Sequence, residues 1–177
     1  HLCEDREVIG SMFYVMEFCE GRILWDPAIP EVDAENRAAM YDEMNRVLAA
    51  MHNVNIDEVG LSDYGKPGNY FERQFTRWSS QYRASEMGRI DSMEELMVWL
   101  EANMPEDDGQ VSLTHGDYRL DNMMFHPTEP RVIAVLDWEL STLGHPYADL
   151  SYQCMGLRMP AEGPGTKGLL GLDLDAL

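Results

Sequence analysis

The sequence predicts an α+β fold, mainly helical, with a small sheet that carries polar residues at its rim. Three observations point there. An apolar, β-rich run lies near the start of the chain. Three stretches with apolar residues at helical spacing follow. Then come three short apolar runs joined by turn residues, and one further helical stretch. Strands and helices thus arrive in blocks, not in the strict alternation that builds a parallel sheet.

Residues 11–18, Ser-Met-Phe-Tyr-Val-Met-Glu-Phe, are expected as a strand buried on both faces. Cys19-Glu20-Gly21-Arg22 breaks the run, and Pro27 and Pro30 punctuate an irregular segment over 22–32. From Asp33 to His52, Met40, Tyr41, Met44, Val47, Leu48 and Met51 recur at helical spacing behind Asp33, a good N-cap. After a turn-rich connector (62–68), Tyr70, Phe71, Phe75, Trp78 and Tyr82 mark a second helix, aromatic on one side. A third opens at Asp91, with Glu94 in the capping-box position, and carries Met93, Leu96, Met97, Leu100 and Met104 on one face. Methionine fills irregular gaps, so the Met-rich faces are assigned to the core. Beyond the acidic loop 105–109, strands are expected at Val111–Thr114, Met123–Phe125 and Arg131–Leu136. A helix containing Asp149 to Met155 follows Leu143-Gly144-His145-Pro146, and Leu169–Leu177 opens a further element after a Gly/Pro-rich stretch.

With 177 residues, 45% of them hydrophobic, the chain can form one domain with a real core. Its 13 Lys+Arg against 32 Asp+Glu give a net charge of −19, which disfavours nucleic acid and anionic membranes as partners. Such a surface serves solubility first, and could attract cationic substrates. Cys3, Cys19 and Cys154 are odd in number and spaced unlike any metal-ligand or disulfide framework. A reducing, intracellular and most simply cytoplasmic setting is therefore expected. No apolar run reaches the length of a membrane span, and no signal peptide is visible.

The polar residues that carry chemistry sit in Thr114-His115-Gly116-Asp117-Tyr118-Arg119-Leu120-Asp121-Asn122 and in Val135-Leu136-Asp137-Trp138-Glu139. Asp117 follows an apolar strand and a glycine that permits close backbone approach, so its carboxylate could accept a proton from an alcohol. An Asp capping its own turn is the plainer alternative. Asn122 offers a hard amide oxygen of the kind Mg²⁺ accepts, and it too could be a turn residue. Asp137 ends the most apolar strand, where an ionised group needs a partner or a metal; Glu139 could share that metal or face solvent. A proton-accepting carboxylate with an amide and a second carboxylate for Mg²⁺ is the set that phosphoryl transfer requires. His115 is read as a packed, hydrogen-bonded histidine whose backbone positions Asp117. A His/Asp metal hydrolase built on His115, Asp117, His126 and His145 lacks any usable ligand spacing. Gly163-Pro164-Gly165-Thr166-Lys167-Gly168 fails as a phosphate loop, because no Ser/Thr follows the lysine and no buried strand leads in.

His115-Gly116-Asp117-x₄-Asn122 followed by Leu136-Asp137-Trp138-Glu139 resembles the motifs of the aminoglycoside phosphotransferase and choline kinase superfamily, which has a protein-kinase-like fold. Met16-Glu17-Phe18-Cys19-Glu20-Gly21 resembles that family's hinge. The resemblance implies ATP and Mg²⁺ as cofactors, Asp117 as catalytic base, Asn122 and Asp137 as metal ligands, and Asp149 as support for the catalytic loop. It also implies adenine held by the Glu17 carbonyl and Cys19 N–H with Met16 behind the ring. Residues 1–18 would end the N-lobe sheet, 19–32 form hinge and linker, and 33–177 a truncated helical C-lobe. Tyr64-Gly65-Lys66-Pro67-Gly68-Asn69-Tyr70-Phe71, Gln81-Tyr82-Arg83-Ala84-Ser85 and the stretch from Val135 to Asp149 look narrower still. They are similar to the kinase-like domain associated with acyl-CoA dehydrogenases, which implies a hydroxy acid or its CoA ester as acceptor and fusion or association with such a dehydrogenase.

The family's phosphate-covering loop, N-lobe Lys and Glu, and last C-lobe helices fall outside residues 1–177, so the chain is expected to be a fragment that does not turn over alone. The expected activity of the parent protein is ATP-dependent phosphorylation of a small-molecule hydroxyl. Helices 33–52 and 69–104 are expected to line the acceptor pocket. Aminoglycosides or amino alcohols are the alternative acceptors, and a non-catalytic nucleotide-binding module is the alternative class. A protein kinase is disfavoured because Trp138 and Glu139 stand where Phe-Gly would follow Asp137.

Overall fold

A computed structural model describes residues 1–162 and 166–173. Its organising element is α1 (Ala34–His52), the longest helix described. Asp33 caps it as expected: its carboxylate accepts the Asn36 N–H at 2.8 Å. Met40, Met44, Leu48 and Met51 form one buried stripe, the spacing that a 3.6-residue period puts on one face. Against that stripe pack Leu24, Ile29, Tyr118, Leu120, Met123 and Phe125, which close the hydrophobic core. Tyr118 is fully buried and donates its hydroxyl to the Met44 carbonyl at 2.8 Å, so the core and the expected catalytic loop share a side chain.

Three small antiparallel sheets surround this core. β1 (Leu2–Cys3) pairs with β2 (Phe13–Tyr14). β3 (Arg22–Ile23), β5 (Met123–Phe125) and β6 (Val132–Val135) form a sheet in the order β3-β5-β6, with an irregularity at Met124/Phe125. β4 (Ser112–Thr114) pairs with β7 (Thr142–Gly144). The expected strands at 111–114, 123–125 and 131–136 therefore form, each within a residue or so of its predicted ends. β1, β3 and β7 are additions. Each is too short to show a period of its own, and pairing partners supplied by the fold make them strands.

Two expectations about burial are corrected. The run 11–18 contributes only a two-residue strand, and Met12, Tyr14, Val15, Met16 and Phe18 are exposed, Phe18 to 89%. A two-stranded ribbon has no second layer to bury its side chains against. Helices α2 (Tyr70–Ser85) and α3 (Asp91–Ala102) form where periodicity puts them, yet neither holds a fully buried residue. They pack on one another, and their aromatic and Met faces line a shallow apolar groove of about 370 Å³. The capping box at Asp91 does not form either: Ile90 is the N-cap, and Glu94 turns to an ion pair with Arg83. A long arginine within reach outbids the local backbone N–H for that carboxylate.

α4 (Tyr147–Met155) completes the elements that matter for the site. The residues after it run as a 3₁₀ turn, Gly156–Arg158, and a bridge between Pro160 and Leu170. Lys167 pins this segment to Asp26 at 2.8 Å. No helix or strand begins within residues 169–173, and the remainder of the element expected there lies outside the described residues, as do Gly163–Gly165 of the rejected phosphate loop.

Candidate active site

The loop after β4 is built around a buried carboxylate. Asp149, on the first turn of α4, is 0% exposed. Its Oδ2 accepts the His115 N–H and its Oδ1 the Gly116 N–H, both at 2.8 Å, and His52 Nε2–H donates to Oδ2 at 3.0 Å. An ionised group can be buried when donors surround it in this way. The same bonds fix the backbone immediately before Asp117. Gly116 takes φ +84°, and a Cβ there would meet the Leu140 carbonyl at 2.7 Å, so the close approach needs glycine.

His115 is buried and is a packing histidine. Its Nε2 bonds the Leu136 carbonyl at 2.8 Å, and its Nδ1 accepts the Asp117 N–H at 3.3 Å. Only the neutral Nε2–H tautomer satisfies both. The ring lies edge-on to Tyr118 and Trp138. His115 thereby links the loop to the residue just before Asp137.

Asn122 is buried at the end of a 3₁₀ turn, Leu120–Asn122. Its Nδ2 donates to the Asp117 carbonyl at 2.9 Å and to Asp117 Oδ2 at 2.8 Å. The amide nitrogen is thus committed to Asp117, and the Oδ1 side remains available as a hard oxygen donor. The Leu136 N–H donates to the Asn122 carbonyl at 2.8 Å, so Asp137 follows directly on the residue paired with Asn122. Asp137 adopts φ +61°, ψ +61°, a conformation that Asp tolerates better than most side chains and that turns the chain out of β6. β6 is half-buried and Asp137 is exposed, as is Glu139. The desolvation argument for Asp137 is therefore corrected: solvent meets its carboxylate.

Two residues missed in the sequence complete the site. Arg119 pairs with Asp121, and its Nε lies 3.9 Å from Asp117 Oδ1 while making no hydrogen bond despite being buried. Burial lowers the guanidinium pKa, but the carboxylates of Asp121 and Asp117 more than reverse that and hold it charged. Tyr152, on α4, lines a cavity beside Arg119 and Asp121; burial first, then the charge of the Asp117 carboxylate, raise its phenol from the ordinary value. Arg119 was visible as the cation inside the motif, and Tyr152 as the residue one helical turn after Asp149.

Arg119, Asp121 and Tyr152 open onto a cavity of about 660 Å³ whose other walls include Trp25, Tyr41, Asn45, Met155 and Leu169. α1 lines it through Tyr41, Met44 and Asn45, whereas α2 and α3 line a separate groove. The expected hinge residues immediately precede β3 in the chain. Met16 and Glu17 are exposed, and neither the Glu17 carbonyl nor the Cys19 N–H is used in a backbone hydrogen bond among the described residues. Arg22 ties the end of that segment to the β5–β6 hairpin through the His126 carbonyl at 3.0 Å. His126 and His145 pair with Glu129 and Asp108, and no three His, Cys, Asp or Glu converge on a metal position among the described residues.

Comparison with known proteins agrees with this layout. The chain is 44% identical over 176 residues to acyl-CoA dehydrogenase family member 10 of Mus musculus, covering 99% of this chain and 16% of that protein. It is 47% identical over 150 residues to acyl-CoA dehydrogenase family member 11 of Homo sapiens, covering 85% and 19%. A solved structure of a Ralstonia eutropha protein, provisionally named an aminoglycoside phosphotransferase, superposes with a TM-score of 0.90 at 57% identity over 99% of this chain and 53% of that one. The chain thus spans less than a fifth of those curated relatives and about half of the solved one. The model of the phosphotransferase enzyme family matches residues 1–170, and with its kinase-like α+β fold the chain belongs to that family.

Proposed function

We propose that this chain carries the proton acceptor and metal ligands of an ATP-dependent enzyme that transfers the γ-phosphoryl group to a hydroxyl of a small molecule. The observation that supports this most is the joining of Asp117 to Asn122 through the amide nitrogen, with Asp137 next to the residue paired with Asn122. Asp117 is the proposed base. Asn122 Oδ1 and the Asp137 carboxylate are the proposed Mg²⁺ donors, hard oxygens from two residues that leave room for water and phosphate. When bound, the ion offsets the charge of the phosphates. Glu17, Cys19 and Met16 are the proposed adenine contacts, where the end of an N-lobe sheet (1–18) meets the hinge and linker (19–32) that lead to a helical C-lobe (33–177).

For the acceptor we favour a hydroxy acid or its CoA ester. The names of the dehydrogenase relatives support it, and so does a proposed fusion or association with such a dehydrogenase. The name of the Ralstonia protein favours a second reading, an aminoglycoside. An intracellular, cytoplasmic enzyme is the proposed setting; among the described residues no helix is long and apolar enough to cross a membrane.

ADP release by the full-length protein tests the reading, with hydroxy acids, their CoA esters, amino alcohols and aminoglycosides offered in turn. A rate that depends on one acceptor class supports it and selects the class. Thermal stabilisation by ATP and Mg²⁺ with no transfer to any acceptor would leave a nucleotide-binding module. We also propose that residues 1–177 alone release no ADP.

A further inference from the structure

We propose that Tyr64 is a positioning residue of the metal site: through Ser141 it holds the turn that follows Asp137, and so sets how tightly Mg²⁺ is bound there. The inference rests on the phosphotransferase reading above. Asp137 is the least supported member of the proposed set. Asn122 and Asp117 hold one another, whereas among the described residues no hydrogen bond or ion pair reaches the Asp137 carboxylate. Its direction is therefore set by its backbone. That backbone lies in the left-handed region, φ +61°, which a residue other than glycine keeps only where the surroundings hold it.

The surroundings hold it from both sides. Before Asp137, the Leu136 N–H donates to the Asn122 carbonyl and the Leu136 carbonyl accepts from the His115 ring, each at 2.8 Å. After it comes the 3₁₀ turn Trp138–Leu140, which Ser141 closes. Ser141 bonds the Trp138 carbonyl twice, through its N–H at 3.0 Å and its hydroxyl at 2.5 Å. The Tyr64 hydroxyl, 77 residues away in sequence, lies 2.5 Å from Ser141 Oγ. Ser141 has one hydroxyl proton and commits it to a carbonyl, so Tyr64 is the donor in this bond. The connector that carries Tyr64 is itself seated on β7: a Cβ at the next residue, Gly65, would meet the Leu143 nitrogen at 2.7 Å. Tyr64, Ser141 and the Trp138 carbonyl thus form a tie from a docked connector to the residue that follows Asp137.

The test is Tyr64→Phe in the full-length protein, which removes one hydroxyl and keeps the ring. Groups bonded directly to a metal ligand change metal affinity by roughly 10- to 100-fold, and Tyr64 acts through Ser141, so the Mg²⁺ concentration for half-maximal ADP release should rise about three- to tenfold. Turnover at saturating Mg²⁺ and Tm should stay as in the wild type; a merely structural role would lower one of these and leave the Mg²⁺ requirement alone. A second measurement needs neither turnover nor ATP: Mn²⁺, another ion that favours oxygen donors, is titrated into the nucleotide-free protein and followed by water-proton relaxation. Its affinity should fall by a similar factor. Ser141→Ala removes the middle of the tie and should weaken binding at least as much, and adding Tyr64→Phe to it should weaken binding no further. A Mg²⁺ requirement unchanged by Tyr64→Phe overturns the inference, as does a further loss in the double variant or a wild type that binds no Mn²⁺. A wild-type protein that transfers to no acceptor, while Tyr64→Phe still weakens Mn²⁺ binding, overturns the phosphotransferase reading and not the tie.

Discussion

The region 112–149 buries polar groups, whereas helices α2 and α3 leave apolar ones in the open. In the first, Ser112, Thr114, His115, Asn122, His145 and Asp149 are all buried. In the second, Trp78, Leu96, Val98, Trp99 and Leu100 are exposed despite clear helical spacing. The contrast shows that burial here follows partners more than hydropathy. Each of those six polar residues has a hydrogen-bond or ion-pair partner beyond its own element, while most of the apolar surface of α2 and α3 meets no other layer.

Four changes would break or sharpen this contrast. The largest expected effect is on chemistry. Asp117→Asn should lower turnover by roughly 10²- to 10⁴-fold, the range of general-base catalysis, with little change in Tm. Steady-state ADP release and a thermal melt check it, and unchanged turnover would remove Asp117 as the base.

Asp149→Ala comes next. It strips the acceptors from two backbone N–H groups and from His52, and should cost about 3 kcal/mol or more in urea unfolding. Asp149→Asn keeps one oxygen and should cost less. A loss under about 1 kcal/mol for the alanine variant would mean that buried polar groups in this region are replaceable.

The third concerns pH. Glu43 joins α1 to β6, accepting from Arg46 at 2.8 Å and from the Val132 N–H at 3.1 Å. The Arg46 hydrogen bond above all holds its carboxyl below 4.5. Because the folded value is the lower one, the contribution is complete above 4.5 and is lost as pH falls through the folded value. Glu43→Gln should therefore cost about 1 kcal/mol at neutral pH and little in acid. Unfolding midpoints measured across the acid range would show the curves converging, and a constant gap would count against the link.

The smallest effect belongs to the open region. Val98→Ser on the exposed side of α3 should change stability by less than about 0.5 kcal/mol. A cost several times larger would show that this face is covered in solution.

The same contrast explains what could be read in advance. Asp33 as N-cap, the Met40–Met51 stripe and the strand positions at 112–114, 123–125 and 132–135 were legible because caps and periods are local properties. His115 as a packed histidine and Gly116 as a close-approach glycine were legible from their neighbours. The capping box at Asp91 was misread because Arg83, remote in sequence, competes for Glu94. Arg119 and Tyr152 went unremarked because position in the motif or one turn after Asp149 does not by itself say which carboxylate or cavity a side chain will meet.

By itself, then, the sequence determined the four helices, the strands after residue 111 that show a period, the family motif and the order of Asp117, Asn122 and Asp137, since these depend on residue type and near neighbours. Only the tertiary structure decided which apolar faces are covered, that Asp137 faces solvent, and that α4 brings Asp149 to the backbone before Asp117 and Tyr152 to the wall of a cavity. Those are matters of which surfaces meet, and a surface's partner is not encoded in its own periodicity.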